Sequence, residues 1–458
     1  MKRLHLLFLI GLLFAACTSG EIKTIDTGKT SAWDISGNVD LSSEAIILTG
    51  ADAVASTKIA YKNFELELEL KTAPGAIGGI WFHTDGAKSD ASGYEIFINN
   101  NPEALEWRKT GGLTAVRNFG KRMAPNDTWI PVRVEVTDKQ IKVFVNNIFV
   151  TDYTEPEKPY REAQYGKRLI SEGVFMFTNQ SNAPITIRNI RVKALPGNLV
   201  SQSEAIDEQT DEIIRLQQKN FPTIDYHLHL KGGWTKEQAA AQSRKLGITY
   251  GIAPNCGKNF PITDDDGIAI WIDTMKHQPF LMPMQAEGRE WSDMFSTEAI
   301  NKFDYRFTDA MTWTDHKGRR MRIWIPEETF IDNEQQFMDL LVERAYGIIT
   351  SEPIHIYVNP TFLPNALMPK YDELWTQERM QKVIDACVSA GVAIEINNFY
   401  RIPSEKFIKM AKASGAKFTF GTNNTSSDDV GKLEYAIEMV KSCGLTNDDM
   451  YIVESKNL

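Results

Sequence analysis

The sequence predicts a multidomain chain in which an antiparallel β-sandwich is followed by a closed (β/α)7 barrel, and three observations carry that prediction. From about residue 21 to Pro196, short runs alternate apolar and polar residues, the period of two that places one face of a strand in a core and the other in water. After Pro222, apolar strand-like runs alternate with helical patterns, as parallel βα units require. At 458 residues, with 42% hydrophobic and 24% charged residues, the chain is too long for one core at ~150 residues per domain and too apolar for disorder.

The elements follow in order. Lys2 and Arg3 precede an apolar stretch from Leu4 to Ala16, too short to span ~30 Å of hydrocarbon but suited to a signal-peptide core. Its end, Phe14-Ala15-Ala16-Cys17, resembles the lipobox of bacterial lipoproteins, which implies cleavage and lipidation at Cys17. Residues 1–17 are therefore expected to be an address, and the rest a soluble body tethered to the cell envelope on the periplasmic side or at the outer membrane. Between 21 and 196, runs such as FELELEL at 64–70 and VRVEV at 132–136 are separated by Gly, Asn, Asp and Pro, the layout of a sandwich. An acidic, polar stretch at 197–221 reads as a linker helix. From 222 to 458, strands are expected at 223–230, 248–255, 279–287, 304–313, 354–359, 392–397 and 417–422, and helices at 235–246, 335–349, 377–390, 404–413 and 428–442. Seven such units suit a closed barrel better than an open doubly wound sheet, because no GxGxxG turn follows the first strand.

In the first half, GGIWFH at 78–83, GYEIFI at 93–98, TGGL at 110–113 and IRNIRV at 187–192 together resemble the 3-keto-disaccharide hydrolase domain, also described as 3-keto-glucoside lyase or hydratase. The resemblance implies a concanavalin-like jelly roll and carbohydrate as substrate. Positions that this family fills with Gln, Gln and His hold Phe97, Thr178 and Gln180. A ketone at C3 of a sugar acidifies the C2 hydrogen, so a modest base removes it and the C1 substituent leaves. His83 and Glu95 are the acid/base candidates, against a structural role for both. Trp81 and Trp107 are candidates for stacking on sugar faces, against the more ordinary role of aromatic core residues.

In the second half, DYHLH at 225–229 puts Asp225, His227 and His229 on one face of the first barrel strand, where two imidazoles can share a cation. With Glu287 in QAEG and Glu395-Ile396-Asn397 further on, this half resembles the polymerase-and-histidinol-phosphatase (PHP) metallohydrolases, implying a distorted TIM-like barrel and placing Glu287 as a third ligand. Other ligand positions of that family hold Asn255, Asn359 and Asn423. Three readings stand: one divalent ion, zinc, manganese or similar, on His227, His229 and Glu287; a metal-free sugar pocket lined by Asn255, Asn359, Glu395, Asn397 and Asn423; or a structural relic. The basic run Lys317-Gly318-Arg319-Arg320 reads as a solvated loop near the barrel mouth, with anion binding as the rival.

Charge narrows the partners. With 50 Lys+Arg against 60 Asp+Glu and no basic stripe, nucleic acid is not an expected partner. Four scattered cysteines exclude a disulfide framework and a CxxC zinc knuckle. The expected function is action on 3-keto-glycosides by a lipid-anchored envelope protein. Its rivals are a non-catalytic glycan-binding lipoprotein and a PHP-type phosphoesterase.

Overall fold

A computed structural model describes residues 20–86, 92–103, 105–197 and 204–454; the leader and Cys17 lie outside them. Two antiparallel sheets face each other in the first half. The larger runs Ile148–Thr154, Gln140–Val145, Ile130–Thr137, Phe64–Thr72, Ile185–Ala194, Ile46–Leu48, Val39–Leu41, with Ile22–Thr24 also on Ile185–Ala194. The smaller runs Trp33–Ser36, Val54–Thr57, Val174–Asn179, Gly78–Thr84, Tyr94–Ile98. Strict alternation decides which side chains meet: Phe64, Leu66, Leu68 and Leu70 are buried with Ile80, Phe82, Ile96 and Phe177 in one core, while the intervening Glu65, Glu67 and Glu69 face outward.

The second half is a parallel sheet with the order Thr249–Ile252, Ile224–Leu228, Phe418–Gly421, Ala393–Asn397, Ile356–Tyr357, Tyr305–Thr308, Pro283–Glu287, Asn255–Gly257. Its first and last members are one stretch of chain interrupted by Ala253 and Pro254, where proline offers no N–H to a ladder. That stretch pairs with Ile224–Leu228 on one side and Pro283–Glu287 on the other, so the sheet closes into a barrel of seven strand segments. Helices Lys236–Leu246, Asp265–Met275, Glu334–Ser351, Gln377–Ala390, Glu405–Ala413 and Glu434–Ser442 alternate with the strands. The fold class is the one the sequence predicts.

Four element expectations are corrected. The strand expected at 304–313 stops at Thr308, and Thr312–Thr314 instead pairs with Arg320–Arg322 in a separate hairpin. The helix expected at 428–442 begins only at Glu434, because Gly431 adopts φ +82° and Asp429 spends its carboxylate on the backbone of Thr425 and Ser426. The linker helix shrinks to Glu212–Gln218, capped by Asp211. Asp265–Met275 was not anticipated; its apolar residues are mixed with exposed ones, Ile270 among them.

The two halves pack together at the N-terminal end of the barrel. Lys121 of the sandwich pairs with Asp304, just before the fourth strand, at 2.9 Å with both side chains buried. The Gly120 N–H donates to Thr249 Oγ1 at the start of the second strand. The indole N–H of Trp107 donates to Asn220 ahead of the first strand, and its ring joins Ile224, Tyr226, Tyr305 and Phe307 in the barrel's interior. Trp107 is thus an interface anchor and corrects the expectation that it stacks on sugar. The opposite, C-terminal end of the barrel is left to the loops.

Candidate functional site

Two polar assemblies merit a functional reading. The first lies on the face of the five-stranded sheet turned away from the sandwich core. Alternation that sends Ile80, Phe82, Tyr94 and Ile96 inward sends Trp81 and Glu95 to this face. Glu95 Oε1 accepts from Gln180 Nε2 at 2.8 Å, and Oε2 faces Arg168 at 3.5 Å. The Arg168 guanidinium lies 4.9 Å from the centre of the Trp81 ring, and its NH1 is buried without a hydrogen-bond partner. Burial holds the pKa of Arg168 below the usual arginine value, while Glu95 works against that. Thr178 accepts from the Trp81 indole at 3.2 Å, and Arg108 sits 4.3 Å over the Phe97 ring. Gln180 and Thr178 therefore serve the same cluster as Glu95; Arg168 was missed because it comes from a loop with no pattern to flag it.

His83 does not join them. It sits at φ +58° in an irregularity between neighbouring strands, buried against Phe64 and Phe82. Its Nε2–H donates to the Lys62 carbonyl at 2.8 Å, and its Nδ1 accepts from the Ser171 N–H. Burial pushes its pKa down to about 4. With both nitrogens committed to backbone, His83 is a neutral structural residue, which corrects its assignment as an acid or base.

The second assembly is the barrel mouth, a cavity of about 330 Å³ lined by polar side chains from the strand ends and by aromatic residues from the loops. His229, Asn255, Glu287, Asn359 and Asn423 line it, each within or beside the end of a barrel strand. Lys231, Gln285, Asp309, Thr425, Phe260, Trp324, Phe399 and Tyr400 were missed. Two of them had a signal: Gln285 shares a strand face with Glu287, and Asp309 directly follows the fourth strand.

Beneath the lining lies a layer that orders it. Glu395, wholly buried, accepts from His227 Nδ1 at 2.6 Å, the Asn359 N–H at 2.8 Å and Asn397 Nδ2 at 3.0 Å. Asn359 adopts φ +49° and Asn423 φ +50°, a left-handed conformation that asparagine tolerates better than most residues. Asn359 Nδ2 donates to Asp309 at 3.0 Å, and its Oδ1 accepts from both Asn397 and Asn423. Glu395 and Asn397 are absent from the cavity wall, so they position the lining rather than touch a ligand, a correction to their expected role. Asp225 accepts the Thr422 N–H and hydroxyl and the His227 N–H, stitching the first strand to the last; burial pushes it up to about 6.

Electrostatically the mouth is set by two neighbouring buried carboxyl groups. Burial and the neighbouring Asp309 push Glu287 up to about 8, and burial raises Asp309 as well. His229 Nδ1 donates to the Ala253 carbonyl at 2.9 Å, and burial holds this imidazole neutral. The fit to a metal centre is poor: among the described residues no group of three or more His, Cys, Asp or Glu side chains is assembled as a ligand set. His227 Nε2 is buried without a partner, but His227 is absent from the cavity wall that His229 and Glu287 share, and the Asn359 and Asn423 amides there are bonded to one another. No step is therefore derived through a metal.

The fold and sites define a two-part α/β and all-β protein with one polar cluster on a sandwich face and another in a barrel mouth. Residues 20–193 match the family model described as the 3-keto-alpha-glucoside-1,2-lyase-like domain. Among curated proteins the chain is 35% identical over 77 residues to a probable phosphatase of Thermoanaerobacter sp., a match covering 15% of this chain and 31% of that protein. The chain thus spans about a third of the length of the curated relatives it matches. Among solved structures, a candidate glycosyl hydrolase from Parabacteroides distasonis is 17% identical, with 39% of this chain and 94% of that one covered and a TM-score of 0.35. A histidinol phosphate phosphatase from Lactococcus lactis, solved with zinc, L-histidinol and phosphate, is 13% identical, with 52% and 98% covered and a TM-score of 0.38.

Proposed function

We propose that the sandwich acts on 3-keto-glycosides at the Glu95 cluster, by removal of the C2 proton and elimination of the C1 substituent. The observation that carries this reading is the match of residues 20–193 to the 3-keto-alpha-glucoside-1,2-lyase-like model, with Glu95 buried beside a cationic partner on the sheet face turned away from the sandwich core. The Glu95 carboxylate takes the proton from C2, and the C–H electron pair becomes the C2–C3 double bond of an enolate whose charge rests on O3. The unpartnered NH1 of Arg168 is the donor for that oxygen, a preset charge of the kind that stabilises enolates. As the C3 carbonyl re-forms, the C1–O bond breaks, C1 and C2 become doubly bonded, and Glu95 returns its proton to the departing alkoxide. Products are a 2-hydroxy-3-keto-glycal and an alcohol.

The test is turnover of 3-keto-glucosides by the soluble chain from residue 20, followed by release of the aglycone. Glu95→Gln should lower kcat by at least about a hundredfold, the range of a lost general base, while His83→Gln should change it little beyond its effect on folding. Sugar binding without turnover in the unaltered protein would leave the glycan-binding alternative in its place.

The same proposal places the protein in the bacterial envelope through a lipid on Cys17, supported by the basic, apolar and small-residue order of 2–17. Cys17→Ser should release the protein from membranes and remove the lipid seen by mass spectrometry; a mutant that still fractionates with membranes and carries lipid refutes the anchor.

A further inference from the structure

The elimination chemistry leaves the barrel mouth unused, although it is a built cavity of about 330 Å³, within the range of small-molecule sites. We propose that it binds a neutral, monosaccharide-sized polyol directly, in place of the metal-and-phosphate ligation expected from resemblance to the PHP hydrolases.

Donors and acceptors on the cavity wall decide which ligand fits it. The Asn359 oxygen is filled, accepting from Asn397 and Asn423, while one of its two N–H bonds goes to Asp309. Because Asn423 donates to Asn359 and Asn255 donates to Glu287 at 2.6 Å, each turns its carboxamide oxygen to other partners. Gln285 lines the cavity beside His229, and its buried Oε1 makes no hydrogen bond of good geometry. His229, its Nδ1–H spent on Ala253, keeps an Nε2 lone pair, and behind it His227 Nε2 is likewise a buried acceptor without a partner. Lys231 is the one cationic side chain in the described lining. A phosphate brings only acceptors, and at this wall it would meet the Asp309 carboxyl and the amide oxygens of Gln285, Asn255 and Asn423. Sugar hydroxyls each bring one donor as well as acceptor capacity and satisfy such a mixed wall, since a buried acceptor left unpaired is costly. Half-exposed Phe399 and Trp324, with Tyr400 and Phe260, supply apolar surface for the C–H face of a pyranose.

The experiment is calorimetric titration of the soluble chain from residue 20 with glucose, galactose, mannose and myo-inositol, and separately with inorganic phosphate, glucose 6-phosphate and zinc. At least one neutral probe should bind saturably, and Gln285→Ala and Asn423→Ala should each weaken it about tenfold, the value of a lost hydrogen bond. Glu95→Gln should leave this binding unchanged, which separates the result from the fate of the sandwich proposal. Circular dichroism and an unchanged thermal midpoint check that the variants fold. Stoichiometric zinc binding that His229→Ala abolishes, phosphate or glucose 6-phosphate binding tighter than glucose, or no binding of any neutral probe up to its solubility limit each overturns the inference.

Discussion

His83 and Glu95 show how one residue type pattern divides into structure and chemistry. Both stand on neighbouring strands in motifs tied to the same family, yet His83 is closed off between the Lys62 carbonyl and the Ser171 N–H while Glu95 faces Arg168. The depressed pKa of His83 has a consequence for stability. At neutral pH the imidazole is uncharged both folded and unfolded and contributes no pH dependence. As pH falls through the unfolded value near 6.5, the unfolded chain takes up a proton that the folded chain refuses until about pH 4, so stability declines across that window. The loss amounts to roughly 3 kcal/mol at about 1.4 kcal/mol per unit. Urea unfolding of the wild type and His83→Gln at pH 7 and pH 4.5 checks this: the variant should be less stable at neutral pH but lose less on acidification. Equal losses in both proteins would assign the acid sensitivity elsewhere.

At the scale of elements, the segment between Tyr94–Ile98 and Ile130–Thr137 does two jobs. It presents Arg108 over Phe97 beside the Glu95 cluster, and it carries Trp107, Gly120 and Lys121 into the base of the barrel. Of these, Lys121 is the most exposed to substitution, because its partner Asp304 is buried and also accepts the Met282 N–H at 2.6 Å. Lys121→Met should destabilise the protein by roughly 3–5 kcal/mol, the cost of stranding a buried charge. Lys121→Met combined with Asp304→Asn should recover part of it, since the neutral amide no longer needs a cation. Differential scanning calorimetry reads both, and an additive double variant would show that the pair is not coupled.

For the molecule as a whole, the stretch read as a linker is partly sandwich. Ile214 packs in the sandwich core, and buried Glu208 accepts from the Tyr153 hydroxyl, the Tyr160 N–H and Arg161. A fragment of residues 20–218 should therefore fold more stably than one of residues 20–196, by about 2 kcal/mol or more from the lost buried bonds and apolar side chain. Chemical denaturation followed by circular dichroism compares them; identical midpoints would return residues 204–218 to the role of a passive tether.

What the sequence determined by itself is whatever rests on local period and strand position. Alternation at 64–70 and 187–192 defines which face of the sandwich is core, and seven apolar runs after Pro222 define the barrel, because burial of one strand face is written into every second residue. Period alone puts His229 at a strand end, and the resemblance to the PHP hydrolases points to Asn255, Glu287, Asn359 and Asn423; all five line the barrel mouth. Tertiary structure alone decided which of the flagged residues face a ligand. Trp107 and His83 look like site residues in sequence but are consumed by the interface and by backbone groups, while Glu395 and Asn397 retreat one layer behind the wall. Arg168 and Asp309 gain their roles from partners 73 and 50 residues away in sequence. A hydrogen bond across such a distance depends on how loops and strands from separate stretches converge, and no local periodicity encodes that convergence.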